Sequence, residues 1–427
     1  MKHFISFLGA AVLLISLNLP LCTALADKHE FESDFISAAD ANIRYVGRWI
    51  DSANNSKTSY WGSQIMEFSF TGKNLRIMLD TPQNQSTIVA FIDNRDVVFN
   101  VVNGEGNLTP QPLEDGTHTV RIITPGNHAG PNATLNEPFV IKGFRVDKGT
   151  AIVQTENSKK LMEIVGDSIS DGWYGVTTLP YTGEVLLGYN TVNVAFAGIT
   201  LTDGIWNYAS GDHKTGMAKQ YFKLTNDVTD ENAPDWNFTS YQPDAIMINL
   251  GTNDFERNES EADFEIAYTD FLTKVREKNP NAVIYAVSPF GGFINGTFHH
   301  FMEEPIRNAV ATRNKAGDQK VVYIDTAGWL TAENARDYLV DDLHPGLNAI
   351  TYLSEKLAAA VRKADESLGK QPQDPGSRPG SNSSATDSRP SSDSDVPQTS
   401  ATAGTALMAV TAASVAGIIA TKRKGTK

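Results

Sequence analysis

Three short segments hold side chains that can act together on an electrophilic carbonyl. Gly166-Asp167-Ser168-Ile169-Ser170 directly follows an apolar run, so Ser168 falls at the carboxyl end of a strand, where glycine permits a sharp turn. A serine there is either a nucleophile presented over a sheet or an N-cap opening a helix. Gly251-Thr252-Asn253-Asp254 follows another apolar run. Its asparagine amide can donate to a developing oxyanion, although the same residue types also build plain turns. In Asp341-Asp342-Leu343-His344-Pro345 the histidine stands three residues after an acid and just before a proline. Held on a loop, it can serve as general base for serine; the alternative is a helix N-terminus with acidic residues around it.

Positioning such groups falls to the surrounding elements. Five near-continuous apolar runs are expected as strands: Leu161 to Val165, Thr191 to Phe196, Ala245 to Leu250, Ala282 to Val287 and Lys320 to Ile324. Amphipathic stretches at Glu261 to Lys278, Glu303 to Lys315 and Leu347 to Lys363 alternate with them. This alternation predicts a parallel sheet covered by helices on both faces, with ligands at the carboxyl ends of the strands. Ahead of it, residues 27–157 read as all-β. Short alternating segments such as Ile65 to Phe70, Leu75 to Leu79, Ile88 to Ile92, Val97 to Val101, His118 to Ile123 and Phe139 to Val146 are separated by turn clusters. That spacing predicts a β-sandwich of jelly-roll type. The α/β unit is expected over residues 158–369.

Composition narrows the function. The 427 residues suit two to three domains, and a hydrophobic share of 41% supports packed cores. Acidic residues outnumber basic ones, 50 to 36, and the net charge of −14 disfavours nucleic acid as a partner. The single cysteine, Cys22, lies in the N-terminal apolar stretch. A processed chain would therefore have no disulfide, thiolate metal site or cysteine nucleophile. His299 and His300 are adjacent and lack an acidic partner at ligand spacing, so they are expected in a surface loop and no metal is expected. The sequence carries no signal for oligomeric state.

Together, and in this chain order, the three segments resemble the GDSL/SGNH hydrolase family. The resemblance covers residues 164–345 and adds Gly198, in Ala197-Gly198-Ile199 after the second strand. It implies a three-layer, flavodoxin-like fold with a parallel five-stranded sheet. It also implies a serine esterase that needs no metal or cofactor. Ser168 would be the nucleophile, His344 the general base and Asp341 its orienting acid. The Ser168 and Gly198 N–H groups and the Asn253 side chain would form the oxyanion hole. Asp167 would be structural, bonding the backbone of its own turn. A β-sandwich ahead of such a domain, with Tyr45-Val46-Gly47-Arg48-Trp49 and Tyr60-Trp61-Gly62-Ser63 at its start, resembles carbohydrate esterase family 2. That family removes acetyl groups from plant polysaccharides such as xylan and glucomannan. An acetylated polysaccharide is then the expected substrate, with Trp173, Tyr174 and Trp206, or Phe290 and Phe293, as candidate sugar-stacking residues. Two other readings stay open: a lipase- or lysophospholipase-type esterase, and a surface carbohydrate-binding protein with a vestigial hydrolase domain.

The two ends carry targeting patterns. Residues 1–26 read as a secretory signal peptide, with Lys2 and His3, an apolar run from Phe4 to Leu17, and Ala24-Leu25-Ala26 as the cleavage site. Residues 370–402 are a Ser/Pro-rich linker whose composition cannot bury a core. Residues 403–427 combine an uncharged run with Lys422, Arg423 and Lys424, as in a membrane anchor. With Val396-Pro397-Gln398-Thr399-Ser400 they also resemble the three-part sortase signal of Gram-positive surface proteins, Ser400 standing where that signal carries glycine. Either pattern places the protein at the cell surface, outside the membrane.

Overall fold

The computed structural model describes residues 31–80, 86–93, 95–101, 104–124, 138–155, 159–171, 178–205, 215–230 and 232–369. The expected signal peptide (1–26), linker (370–402) and anchor (403–427), and Trp173, Tyr174 and Trp206, lie outside the described residues. Among the described residues, no helix is long and apolar enough to cross a membrane.

The N-terminal part is built from strands β1 (Ser33–Ser37), β2 (Arg44–Val46), β3 (Ile50–Ser52), β4 (Ser56–Ser59), β5 (Ile65–Thr71) and β6 (Leu75–Leu79). They are followed by β7 (Ser86–Ile92), β8 (Arg95–Val101), β9 (Glu105–Asn107), β10 (Thr117–Ile123), β11 (Phe139–Asp147) and β12 (Ile152–Val153). Two antiparallel sheets result. One runs β3-β4-β11-β6-β9, with β1 also on β11; the other runs β12-β5-β10-β7-β8, with β2 also on β5. Alternation drives the packing. Met66, Phe68 and Phe70 of β5 and Val120 and Ile122 of β10 face Ile77, Phe144 and Val146 of the opposite sheet. The Phe68 and Phe144 rings meet at 4.5 Å across this core. Strands β1 to β4, β9 and β12 are short and irregular, and the apolar alternation used for the longer strands does not reveal them.

The second part alternates strands and helices, as expected. Strands β13 (Leu161–Gly166), β14 (Asn190–Ala195), β15 (Ala245–Asn249) and β16 (Val283–Val287) are joined by β19 (Val321–Ile324), after the hairpin β17 (Gly292–Ile294) and β18 (Thr297–His299). The five form a parallel sheet in the order β14-β13-β15-β16-β19, the flavodoxin-like order. The helices are α1 (Ser168–Asp171), α2 (Thr178–Tyr181), α3 (Met217–Gln220), α4 (Thr252–Glu256), α5 (Glu261–Lys278), α6 (Glu303–Lys315), α7 (Ala335–Tyr338) and α8 (Leu347–Gly369). Helix α5 begins where the Ser260 hydroxyl accepts the Asp263 N–H, a cap worth about 1 kcal/mol. On one face of the sheet, Phe271 and Val275 of α5 and Ile306 and Val310 of α6 cover Ile248 and Ile284. On the other, Leu353, Leu357 and Val361 of α8, at helical spacing, cover Ile164, Met247 and Val287. Helix α8 runs to Gly369, six residues past the expected end.

The two parts meet across a sealed joint. Ile65 of β5 packs with Leu161 and Val192, and the Gln64 amide donates to the Asn193 carbonyl at 3.0 Å. Arg48 reaches from the sandwich to donate to the Tyr221 carbonyl at 2.6 Å, and its guanidinium lies 3.6 Å from the Glu163 carboxylate. Tyr221 donates to Glu163 at 2.7 Å, and Tyr241 donates to its other oxygen. Trp61 adds an Nε1–H bond to the Leu224 carbonyl at 3.1 Å.

Candidate active site

Strand β13 is buried along its whole length and ends at Gly166. Its glycine is required for space: a Cβ there would lie 2.0 Å from the Ser170 Oγ. The chain then enters the single turn α1. The side chain that caps this turn belongs to Asp167, whose Oδ1 accepts the Ile169 N–H at 2.9 Å. This resolves the alternative left open at Ser168. Asp167 does the capping, and the Ser168 hydroxyl is left to another partner, the His344 Nε2 at 2.9 Å.

His344 is held by its own loop. Asp341 Oδ1 accepts the N–H groups of both Leu343 and His344, each at 2.8 Å, which folds the four-residue segment into a tight turn. The other carboxylate oxygen lies 2.9 Å from His344 Nδ1. A carboxylate only accepts, so Nδ1 must carry the proton, and Nε2 is left with a lone pair aimed at Ser168. Burial would raise the Asp341 pKa, but the hydrogen bond and charge of His344, with the two N–H groups, hold it well below the usual carboxylate range. Asp342 turns away: its carboxylate faces Arg336 at 3.3 Å, and its carbonyl accepts the Phe293 N–H at 2.8 Å. The hairpin β17–β18 is thereby stitched to the histidine loop.

Two further segments follow β14 and β15, the strands on either side of β13. Gly198, after β14, adopts φ +81°, a left-handed conformation that favours glycine. Asn253, at the start of α4, donates its amide to the Ile199 carbonyl at 3.0 Å and more distantly to Asp167 Oδ2 at 3.4 Å. Among the described residues, neither the Ser168 nor the Gly198 N–H donates a hydrogen bond. Ser168 itself is 8% exposed. Burial, with the neighbouring Asp254 carboxylate, pushes Asp167 up to about 6 against the Ile169 N–H and the charge of His344. The arrangement brings a hydroxyl, an imidazole and a carboxylate into one relay beside two free backbone donors, the parts needed for acyl transfer.

Of the candidate stacking residues, Phe290 and Phe293 belong to the core rather than to a sugar platform. They are 1% and 6% exposed; Phe290 stacks on Trp329, and Phe293 lies under the Arg336 guanidinium, 4.0 Å from the ring centre. His299 packs its ring against Phe255, and His300 pairs with Glu303 at 2.8 Å. The joint around Arg48 is not visible in the pattern of apolar runs. One signal points to it: Glu163 interrupts an otherwise apolar strand, and a buried carboxylate needs partners.

Comparison with known proteins agrees with this geometry. The profile of the GDSL-like lipase/acylhydrolase family matches residues 164–348, and that of the carbohydrate esterase 2 N-terminal family matches residues 45–155. The cellulase/esterase CelE of Acetivibrio thermocellus is 22% identical over 345 residues, which are 75% of this chain but only 39% of that protein. An acetylxylan esterase / glucomannan deacetylase of Cellvibrio japonicus is 26% identical over 262 residues, 55% of this chain and 69% of the relative. Among solved structures, an acetyl xylan esterase from Butyrivibrio proteoclasticus aligns with a TM-score of 0.61 at 19% identity, covering 79% of this chain and 99% of that one. A family two carbohydrate esterase from Clostridium thermocellum in complex with cellohexaose aligns with a TM-score of 0.59 at 20% identity, covering 77% and 99%. Residues 164–348 thus form a GDSL-like lipase/acylhydrolase domain, preceded at residues 45–155 by a carbohydrate esterase 2 N-terminal domain.

Proposed function

We propose that the protein is a serine carboxylic ester hydrolase that removes O-acetyl groups from plant cell-wall polysaccharide, acetylated xylan or glucomannan. The observation that carries this reading is the Ser168–His344–Asp341 relay, with both contacts at 2.9 Å. His344 Nε2 takes the hydroxyl proton as Ser168 Oγ attacks the acetyl carbonyl. The oxyanion meets the Ser168 and Gly198 N–H groups and the Asn253 amide, each donor worth about 2.7–4 kcal/mol of barrier. His344 then gives its proton to the departing sugar hydroxyl, and afterwards activates the water that releases acetate and restores Ser168. Asp341 keeps the imidazole in the required tautomer and stabilises its cation. The sugar substrate is supported by the relatives named acetylxylan esterase / glucomannan deacetylase. The end patterns at 1–26 and 396–427 support action outside the cell, on a stalk at its surface. A series of para-nitrophenyl esters of increasing acyl length tests the acyl specificity. Sharp preference for acetate is expected; activity rising toward longer chains would contradict the reading in favour of a lipid esterase.

A further inference from the structure

The oxyanion loop after β14 is gripped from one side by two consecutive residues of α4. Asn253 donates to the Ile199 carbonyl. Asp254 accepts the Leu201 N–H on Oδ2 at 2.8 Å and the Thr202 N–H on Oδ1 at 2.9 Å. Three successive peptide units following Gly198 are thus tied to the turn that also supplies the Asn253 amide. Asp254 is fully buried, and burial pushes it up to about 6 against the two N–H bonds. Such a site is costly for a carboxylate. Two adjacent N–H groups aimed at one side chain nevertheless demand two acceptor atoms. A carboxylate supplies both, whereas an amide supplies one and turns its own donor against the second N–H.

We propose that Asp254 is a positioning residue for ester hydrolysis: its carboxylate holds the Gly198–Thr202 loop at the separation from Ser168 that lets the Gly198 N–H reach the oxyanion. The inference rests on the esterase reading above. It makes the Gly198 and Asn253 donors a single unit, set by one turn, rather than two independent contributions. Because the oxyanion is absent from the bound ester and develops toward the tetrahedral intermediate, a displaced loop lowers kcat and spares KM.

The test uses the full chain with Asp254→Asn, which deletes one acceptor, and Asp254→Glu, which keeps both acceptors but moves them by one methylene. Hydrolysis of para-nitrophenyl acetate is followed beside thermal unfolding. The expected result for Asp254→Asn is a kcat reduced by about tenfold to a hundredfold, with KM within about twofold. Asp254→Glu should show a smaller loss in the same parameter. Inhibition by phenylboronic acid, which forms a tetrahedral adduct on Ser168, should weaken by the same factor as kcat. Unchanged kcat in both variants, a change confined to KM, or melting of both variants below the assay temperature would overturn the proposal. Wild-type hydrolysis no faster than that of Ser168→Ala would instead overturn the esterase reading, and this inference with it.

Discussion

Two acid–base pairs stand at strand β13, one against its middle and one past its carboxyl end, and they differ in exposure. Near its middle, Glu163 faces Arg48, their side chains 2% and 0% exposed. Beyond its end, Ser168 meets His344, which pairs with Asp341 at side-chain exposures of 17% and 38%. The first pair is sealed among Trp61, Tyr221, Trp236 and Phe238 rings, each 4.8 to 5.7 Å from the guanidinium. An arginine never gives up its proton, so this pair can only hold. It joins the sandwich to the sheet. The second pair reaches solvent, and the imidazole between Asp341 and Ser168 has one nitrogen free to accept a proton. Similar electrostatics thus serve as a lock in one place and a relay in the other, and the choice of cation and access to solvent decide which.

The largest effect should come from the relay. Asp341→Ala is expected to cut kcat for acetyl esters by roughly 10³–10⁴-fold, because the imidazole loses its tautomer and its loop loses two N–H acceptors. A rate equal to wild type would remove Asp341 from the machinery.

Next comes the lock. Arg48→Ala leaves the Glu163 carboxylate buried with only tyrosine donors, at a cost of about 3–5 kcal/mol in unfolding free energy, while kcat per folded molecule stays unchanged. Urea unfolding read beside activity separates the two. Lost turnover at full stability would move Arg48 into the catalytic apparatus.

A smaller effect concerns pH. Asp167 and Asp254 sit at about 6 in the folded chain against an ordinary 3.8. The folded state therefore binds more protons between these values, and stability falls as pH rises through that window, by roughly 1–3 kcal/mol per carboxylate. Asp341 works in the opposite sense. Its folded value is depressed, so its contribution is complete above the ordinary value and is lost as pH falls below it. Asp167→Asn should roughly halve the downward slope, as measured by unfolding free energy against pH; an unaltered slope would contradict the assignment.

The smallest effect is expected at Asp342. Its carboxylate faces an exposed arginine, and Asp342→Ala should leave kcat within about twofold of wild type. A loss matching that of Asp341→Ala would erase the distinction between the neighbours.

What was legible in the sequence follows from the range over which it acts. The strand runs, the turns that end them and the Asp341 to His344 spacing are local, and they place Ser168, Asn253 and His344 at one edge of the sheet. Apolar runs do not reveal pairing partners, so they leave the order β14-β13-β15-β16-β19 open. In the sequence Asp254 is only part of a turn, because its partners Leu201 and Thr202 are more than fifty residues away. Arg48 and Trp61 belong by sequence to the start of the sandwich, yet both turn outward, into the other part. Phe290 and Phe293 lie close in sequence to the fourth strand, but proximity does not distinguish a ring facing the cleft from one facing the core.

Deacetylation by the Ser168–His344–Asp341 relay is the proposal on which the rest depends. Acetate release from acetylated xylan and acetylated glucomannan, measured for the full chain beside Ser168→Ala, tests it most directly. Release by the wild type that falls to the uncatalysed rate in the variant is expected. Equal release by both, or none from either polymer by a folded wild-type protein, would contradict it.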